Sequence, residues 1–446
     1  MRLKRRRKSA ESGEQMKVKA APFKFSPLSE KQIIVMSWWA PGAPERHHDG
    51  IIADGAIRSG KTVSMSFSFV LWAMLTFAGQ NFIMCGKTVG SFRRNVLPTL
   101  KAILYGRGGF TFEDRRSDNL LIVSYKGHTN SFYIFGGKDE RSQDLVQGIT
   151  AAGAFFDEVA LMPESFVNQA TGRCSVDGSK LWFNCNPEGP MHWFKREWID
   201  KREEKNLLFL HFTMDDNRSL SDAIRARYKS MYSGVFYSRY IKGLWAIAEG
   251  LIYPMFGESN MYDDSSRPVA LDATAVRYIA VDYGTTNPCV FLDIRDDGQD
   301  IWIDDEWRWD SKSEQAKRLA VPNKTDAEYA DAMREFMTDE PGKQCMIVVD
   351  PSAKSFITEL RNRGFYVKEG DNDVLDGIRL VASLFTRGRL HVHRRCEGLI
   401  KELHSYVWDE KAGQRGEERP VKMLDHGPDG LRYAIFTLLP DWRKAI

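Results

Sequence analysis

The stretch "DGAIRSGKTVSM", Asp54 to Met65, decides how this chain is read. Gly55 and Gly60 stand five apart and Lys61-Thr62 follows at once, so Gly55-Ala56-Ile57-Arg58-Ser59-Gly60-Lys61-Thr62 satisfies G-x-x-x-x-G-K-[ST] in full. In such a loop the backbone N–H groups cradle phosphate, the lysine reaches the β- and γ-oxygens, and the Thr hydroxyl ligates Mg2+ where a helix starts. The flanks agree: "GIIAD" before the loop reads as a strand and "TVSMSFSFVLWAM" after it as a helix.

A phosphate loop needs a second carboxylate at the end of a neighbouring apolar strand to hold the magnesium and its water. "AAGAFFDEVA" supplies Asp157 for the ion and Glu158 to polarise the attacking water. "LWFNCNPEG" ends another apolar run in Asn184-Cys185-Asn186-Pro187, where an amide can sense the γ-phosphate. Asn-Pro is also an ordinary turn opener.

Around these motifs the runs "GIIADG", "NFIMCGK", "SFYIFGG", "AGAFFDEV" and "LWFNCNP" alternate with helical stretches from about residue 25 to 250. This predicts an α/β domain with a mostly parallel sheet and ligands at the strand C-terminal ends. "SLSDAIRARYKSMYSGVFYSRYIKGLW" reads as a helical lid or connector, and residues 251–268, rich in Gly, Pro, Asn and Asp, as a linker. Residues 269–446 carry a second pattern. "RYIAVDYG" is followed by two strands around an Asp-Asp-Gly turn, then by "CMIVVDPS" and a helix, which predicts a mixed sheet. Its strand and helix ends carry Asp282, Asp350, Asp425, His426 and Asp429. Carboxylates converging from two strands and a helix can hold two divalent cations about 4 Å apart for in-line attack on a phosphodiester. Glu306 is a further candidate ligand, and capping is the plainer role for any one of these acids.

Composition bounds the function. At 446 residues, 43% hydrophobic and 28% charged, the chain fits two globular domains. Phe67 to Phe77, its most apolar window, is too short and too interrupted by Ser to span a bilayer. The six cysteines form no C-x-x-C pair, against a zinc site or disulfide framework and in keeping with a reducing cytoplasm. His391 and His393, two apart, are explained by strand alternation. Net charge is +3, but residues 1–24 hold nine Lys/Arg against two Glu, so that tail alone carries +7 and the rest −4. The tail lacks apolar periodicity and reads as disordered, either solvated or in contact with nucleic acid.

Taken in order, the phosphate loop, "FFDE", the Asn-Pro stretch, "HFTMDDNRSLSDAIRARYKSMYSGVFYSRYIKGLWAIAEGLIYPMF", "VDYGTTNP" and "DHGPDGLRY" resemble a tailed-bacteriophage terminase large subunit from about residue 28 onward. The resemblance implies a RecA-like additional-strand ATPase domain followed by a ribonuclease H-like nuclease domain. It implies ATP and Mg2+ at Gly55 to Thr62, with Asp157 as magnesium ligand, Glu158 as catalytic glutamate, Asn184 to Pro187 as coupling motif with Asn186 near nucleotide, and Gln32 reading adenine. It also implies Mg2+ or Mn2+ on Asp282, Asp350 and Asp429, with His426 and Asp425 beside them. The implied partners are double-stranded DNA, the procapsid portal and a terminase small subunit, in a homo-oligomeric ring during packaging, in the host bacterial cytoplasm. Where many relatives carry Arg-Gly before the Walker B strand, this chain has Gln147-Gly148, which leaves Arg58, Arg93, Arg94 and Arg141 as alternative arginine fingers. The rival readings are a helicase-nuclease of repair or recombination, whose strand-separation motifs are not found, and a regulatory nucleotide switch, against which Glu158 and the missing N-K-x-D argue.

Overall fold

The computed structural model describes residues 27–284, 288–313, 323–337 and 345–438; the basic tail, residues 1–24, lies outside the described residues. Two sheets organise the chain. The first contains β1 (Gly50–Gly55), β2 (Asn81–Gly86), β3 (Phe110–Arg115), β4 (Leu120–Tyr125), β5 (His128–Gly136), β6 (Gly153–Asp157), β7 (Lys180–Asn184) and β8 (Leu207–Phe212), in the order β3-β4-β5-β2-β6-β7-β1-β8. From β5 to β8 every neighbouring pair is parallel, and β3-β4 adds an antiparallel edge.

β1 and β6 are buried along their whole length, which is why their sequences are unbroken apolar runs rather than alternating ones. Side chains still alternate between faces. Ile51 and Ala53 pack in one core with Phe69, Trp72 and Trp182, while Ile52 packs in another with Phe156 and Phe183. β7 lies between β1 and β6, so the loop-bearing and Asp157-bearing strands are separated by one additional strand. This is the RecA-like additional-strand arrangement.

The second sheet contains β9 (Met261–Tyr262), β10 (Val276–Asp282), β11 (Cys289–Asp296), β12 (Ile301–Trp309), β13 (Met346–Val349), β14 (Tyr366–Glu369) and β15 (Leu390–His393), ordered β14-β13-β10-β11-β12-β15-β9. β10-β11-β12 is an antiparallel meander whose second turn is the expected Asp-Asp-Gly, with Gly298 at φ 86°. β13 and β14 add in parallel beside β10, which gives the ribonuclease H-like topology. His391 and His393 sit on β15, His391 stacked on Trp302.

Residues 251–268 already belong to the second half: Ile252, Tyr253 and Phe256 are buried in the core of its sheet, and Met261–Tyr262, strand β9, pairs with β15. The stretch 219–245 is broken: Asp222–Ser230 is helical, and Gly234–Phe236 runs into a wide turn over Tyr237–Ile241. Phe236 and Tyr240 pack in the core of the second sheet, so this stretch joins the two halves. No helix among the described residues is long and apolar enough to cross a membrane.

Candidate functional sites at the ends of the two sheets

β1 delivers the phosphate loop to the N-terminus of the Lys61–Thr76 helix. Gly55 has φ 121°, and a Cβ there would lie 2.0 Å from the Phe212 carbonyl oxygen, so only glycine fits where β1 and β8 close together. Gly60, at φ 88°, turns the chain into the helix. The Ser59 hydroxyl donates to the Ala56 carbonyl at 2.8 Å. Lys61 is buried, and its ammonium donates to the carbonyls of Ala56 (2.6 Å) and Gly55 (3.1 Å), to Ser59 Oγ (3.1 Å) and to Asn186 Oδ1 (3.2 Å). Burial pulls its pKa down to about 8 against the raising influence of nearby acids.

The register of β6 on β7 sets Asp157 opposite Asn184. Thr62 Oγ1 donates to Asp157 Oδ1 at 2.9 Å, and Asn184 Nδ2 reaches both Asp157 Oδ1 (2.5 Å) and Thr62 Oγ1 (2.8 Å). Burial and the neighbouring Glu158 push Asp157 up to about 7. Glu158 itself sits at φ 59°, a left-handed conformation rare for such a residue and common where function over-determines the backbone. Its pKa is raised, first by burial; Arg379 and Lys87 oppose that rise and Asp376 adds to it.

The sequence-predicted residues thus fall into one place, but the Asn-Pro stretch divides: Asn184 joins Thr62 and Asp157, while Asn186 joins Lys61. Gln32 is buried beside the loop, where its Nε2 would lie 2.4 Å from a Cβ on Gly60, and its Oε1 caps the first helix through Ser29 N at 3.0 Å. Of the finger candidates, Arg58 is exposed with its guanidinium 5.1 Å over the Tyr228 ring, and Arg93 is tied to Asp114 at 2.8 Å. Arg94 and Arg141 are exposed. Sequence reasoning missed Asp54, which is 1% exposed and held by His211 Nδ1 and Trp245 Nε1, both at 2.9 Å. The signal that could have found it is "LLFLHF", the apolar run of β8 that ends beside the loop.

The second site lies at the end of β10. Asp282 closes that strand, Asp350 follows β13, and the His426–Thr437 helix packs across them with Asp425 at its start and Asp429 in its first turn. Gly430 permits that approach, since a Cβ there would lie 3.3 Å from Asp282 N. Asp282, Asp350, Asp425, His426 and Asp429 all line one cavity of about 690 Å³. His426 Nδ1 lies 2.9 Å from Asp282 Oδ2. Burial raises Asp282 to about 6 despite this bond, and the Asp282 contact raises His426 although burial works against it. The Tyr433 hydroxyl donates to Asp350 Oδ2 at 3.0 Å.

Asp429 is held by the Tyr406 hydroxyl (3.1 Å), Arg432 Nη2 (3.2 Å) and Lys422 Nζ (2.7 Å), and the same lysine lies 3.2 Å from Asp425 Oδ2. The sequence gives no sign of these basic partners. Glu306 falls away from the site: it accepts from Arg308 Nε and from Leu399 N, both at 2.9 Å, and does not line the cavity. Glu402 lines it instead, gripped by Arg308 at 2.6 and 3.0 Å.

Among the described residues no three His, Cys, Asp or Glu side chains gather closely enough to hold one metal ion. The donor set nevertheless fits Mg2+ or Mn2+. Such ions take one or two carboxylates plus substrate phosphate oxygens, and a cation, the Lys422 ammonium, already sits between two of these acids.

Fold and sites define a class, the phosphate-loop ATPase fold joined in one chain to a ribonuclease H-like nuclease fold. The comparisons are specific within it. A family model described as terminase large subunit, T4likevirus-type, N-terminal, matches residues 52–259. The terminase large subunit of Escherichia phage T5 is 26% identical over 299 residues, and this chain spans 64% of that relative's length, as the match spans 64% of this chain. The large terminase of a thermophilic bacteriophage is 52% identical, with a TM-score of 0.86 over 93% of this chain and 100% of that one. The same thermophilic phage protein in complex with ATP-γ-S is 50% identical in the aligned region with a TM-score of 0.83, over the same shares. The chain belongs to the phage terminase large subunit family.

Proposed function

We propose that this chain hydrolyses ATP to drive double-stranded viral DNA into a procapsid and cuts the DNA concatemer with a metal-dependent endonuclease in its second domain. The observation that supports it most is the presence of two separate centres for phosphate chemistry, Lys61-Thr62-Asp157-Glu158 and Asp282-Asp350-Asp429, in a chain half identical to a large terminase seen with ADP and ATP-γ-S.

In the motor, Lys61 leaves the loop carbonyls to bind the β- and γ-phosphates, and Glu158 orients the attacking water. Thr62 and Asp157 would hold Mg2+, which offsets charge on the transferring phosphoryl group. Asn184 and Asn186 touch the metal side and the lysine side of the loop, so together they can sense loss of the γ-phosphate. In the nuclease, Asp282, Asp350 and Asp429 would hold Mg2+ or Mn2+, which activates water and balances charge at the scissile phosphate. His426 positions Asp282. Arg58, Arg94 and Arg141, all exposed, are the candidates for a finger that would reach a neighbouring subunit of a packaging ring. The portal and a small subunit would be the docking partners, in the host bacterial cytoplasm.

The test is packaging itself: purified protein, matching procapsids, small subunit and ATP should protect linear duplex DNA from external nuclease. Failure to protect DNA in that system, with ATP turnover intact, would overturn the motor assignment.

A further inference from the structure

Two-metal phosphodiester chemistry has no need of a lysine between its carboxylates, yet Lys422 Nζ lies 2.7 Å from Asp429 Oδ2 and 3.2 Å from Asp425 Oδ2. Asp425 and Asp429 are 7% and 4% exposed, while the Lys422 side chain is 64% exposed, so its stem enters from solvent and only its head is committed. An ammonium is a compact point charge on a flexible stem, able to occupy a cation position and to leave it. Lys422 stands in a turn before the helix: Leu424 has φ 55°, and Met423 N bonds back to the Val421 carbonyl at 2.9 Å. Asp429 keeps a second cation, since Arg432, 1% exposed, bonds its other oxygen. Removal of Lys422 therefore leaves Asp429 paired and the helix anchored.

We propose that Lys422 is a built-in counter-cation of the cutting site, occupying the Asp425–Asp429 pair and competing with the divalent cation that must displace it. The inference rests on the nuclease reading above. It makes metal loading conditional: a site whose competent form is a minor fraction binds with an affinity reduced by that fraction. Once displaced, the ammonium on its exposed stem is available to a phosphodiester oxygen of bound DNA.

The experiment titrates Mn2+ into the full-length protein by calorimetry and electron paramagnetic resonance, with Asp429→Asn identifying the site in question. Lys422→Met should bind Mn2+ at that site about 10-fold more tightly than wild type, and Mn2+ should raise its melting temperature by more. Lys422→Arg, which keeps a cation, should bind as wild type does. Lys401 lines the same cavity and is exposed, so Lys401→Met controls for loss of nearby positive charge. Equal affinity in wild type and Lys422→Met, or the same gain in Lys401→Met, would overturn the counter-cation while leaving the nuclease reading intact. Absence of any Asp429-dependent Mn2+ site in both wild type and Lys422→Met would remove the nuclease reading and the inference with it.

Discussion

Asp157 and Asp429 are both acids buried where an element meets its site, 6% and 4% exposed, but their surroundings are opposite in kind. Asp157 receives only neutral donors, the Thr62 hydroxyl and the Asn184 amide, with Glu158 adjoining and Lys61 turned to the loop carbonyls. Asp429 receives two cations, Lys422 and Arg432. A buried carboxylate without a charged partner is costly and shifts toward its neutral form, which is what raises Asp157 to about 7. Asp157 is thus left without a charged partner, whereas Asp429 is already balanced by the protein. On the proposed function this difference suits the two roles: a motor would reload its nucleotide and ion each cycle, and a cutter acting only before and after filling would gain from being held back.

The sharpest way to break this comparison is to disable one centre and read the other. Lys61→Ala removes the charge that stabilises the transferred phosphate, and Glu158→Gln keeps shape while losing water polarisation, so each should slow ATP turnover about 1,000-fold. Metal-dependent cutting of plasmid should persist in both. If either change abolishes cutting in a folded protein, the two centres are one functional unit and the contrast between them has no meaning.

The reciprocal change is smaller. Asp282→Asn, Asp350→Asn and Asp429→Asn should each slow plasmid cutting at least ~100-fold, a loss of about 3 kcal/mol of transition-state stabilisation, with ATP turnover retained. His426→Ala should do less, because its bond is to Asp282 rather than to the reacting atoms. Undiminished cutting in the three Asn variants, measured by single-turnover gel assay, would make the second domain a DNA clamp.

The sequence was most legible where burial was complete. β1, β2, β6 and β7 sit in the middle of the first sheet, so their apolar runs stood out, and the motifs at the ends of β1, β6 and β7 lie together in the structure. β3 is largely exposed and reads "FTFEDR", which carries no such signal, and β8 at the other edge is half-buried along most of its length. The split between Asn184 and Asn186 needed the β6-β7 register, which one-dimensional spacing cannot supply. The acids of the second site were visible as strand and helix ends. Their basic partners were not, because an ion pair such as Arg308–Glu402 joins residues that only the fold brings together. Glu306 shows the converse: it stands in an acid-rich strand but is spent on Arg308 and Leu399.

The smallest expected effect sharpens the comparison most, because the same substitution should change sign between the two centres. In metal-free buffer, folded Asp157 holds its proton up to about pH 7 while the unfolded chain releases it near the ordinary carboxylate value. Folding then binds a proton, so the penalty is absent in acid, grows as pH rises, and is complete above pH 7; in linkage terms stability falls between about pH 4 and pH 7. Asp157→Asn removes the penalty while its Oδ1 can still accept from Thr62 and Asn184. It should therefore stabilise the metal-free protein at pH 8 by on the order of 2 kcal/mol, with a smaller gain at pH 5. Asp429→Asn at pH 8 should instead destabilise by about 2 kcal/mol, since it strips the buried Arg432 of its charged partner. Scanning calorimetry with chelator present reads both. A shift in the same direction for the two variants would mean that the cations around Asp429 do not set it apart from Asp157, and that burial alone governs both acids.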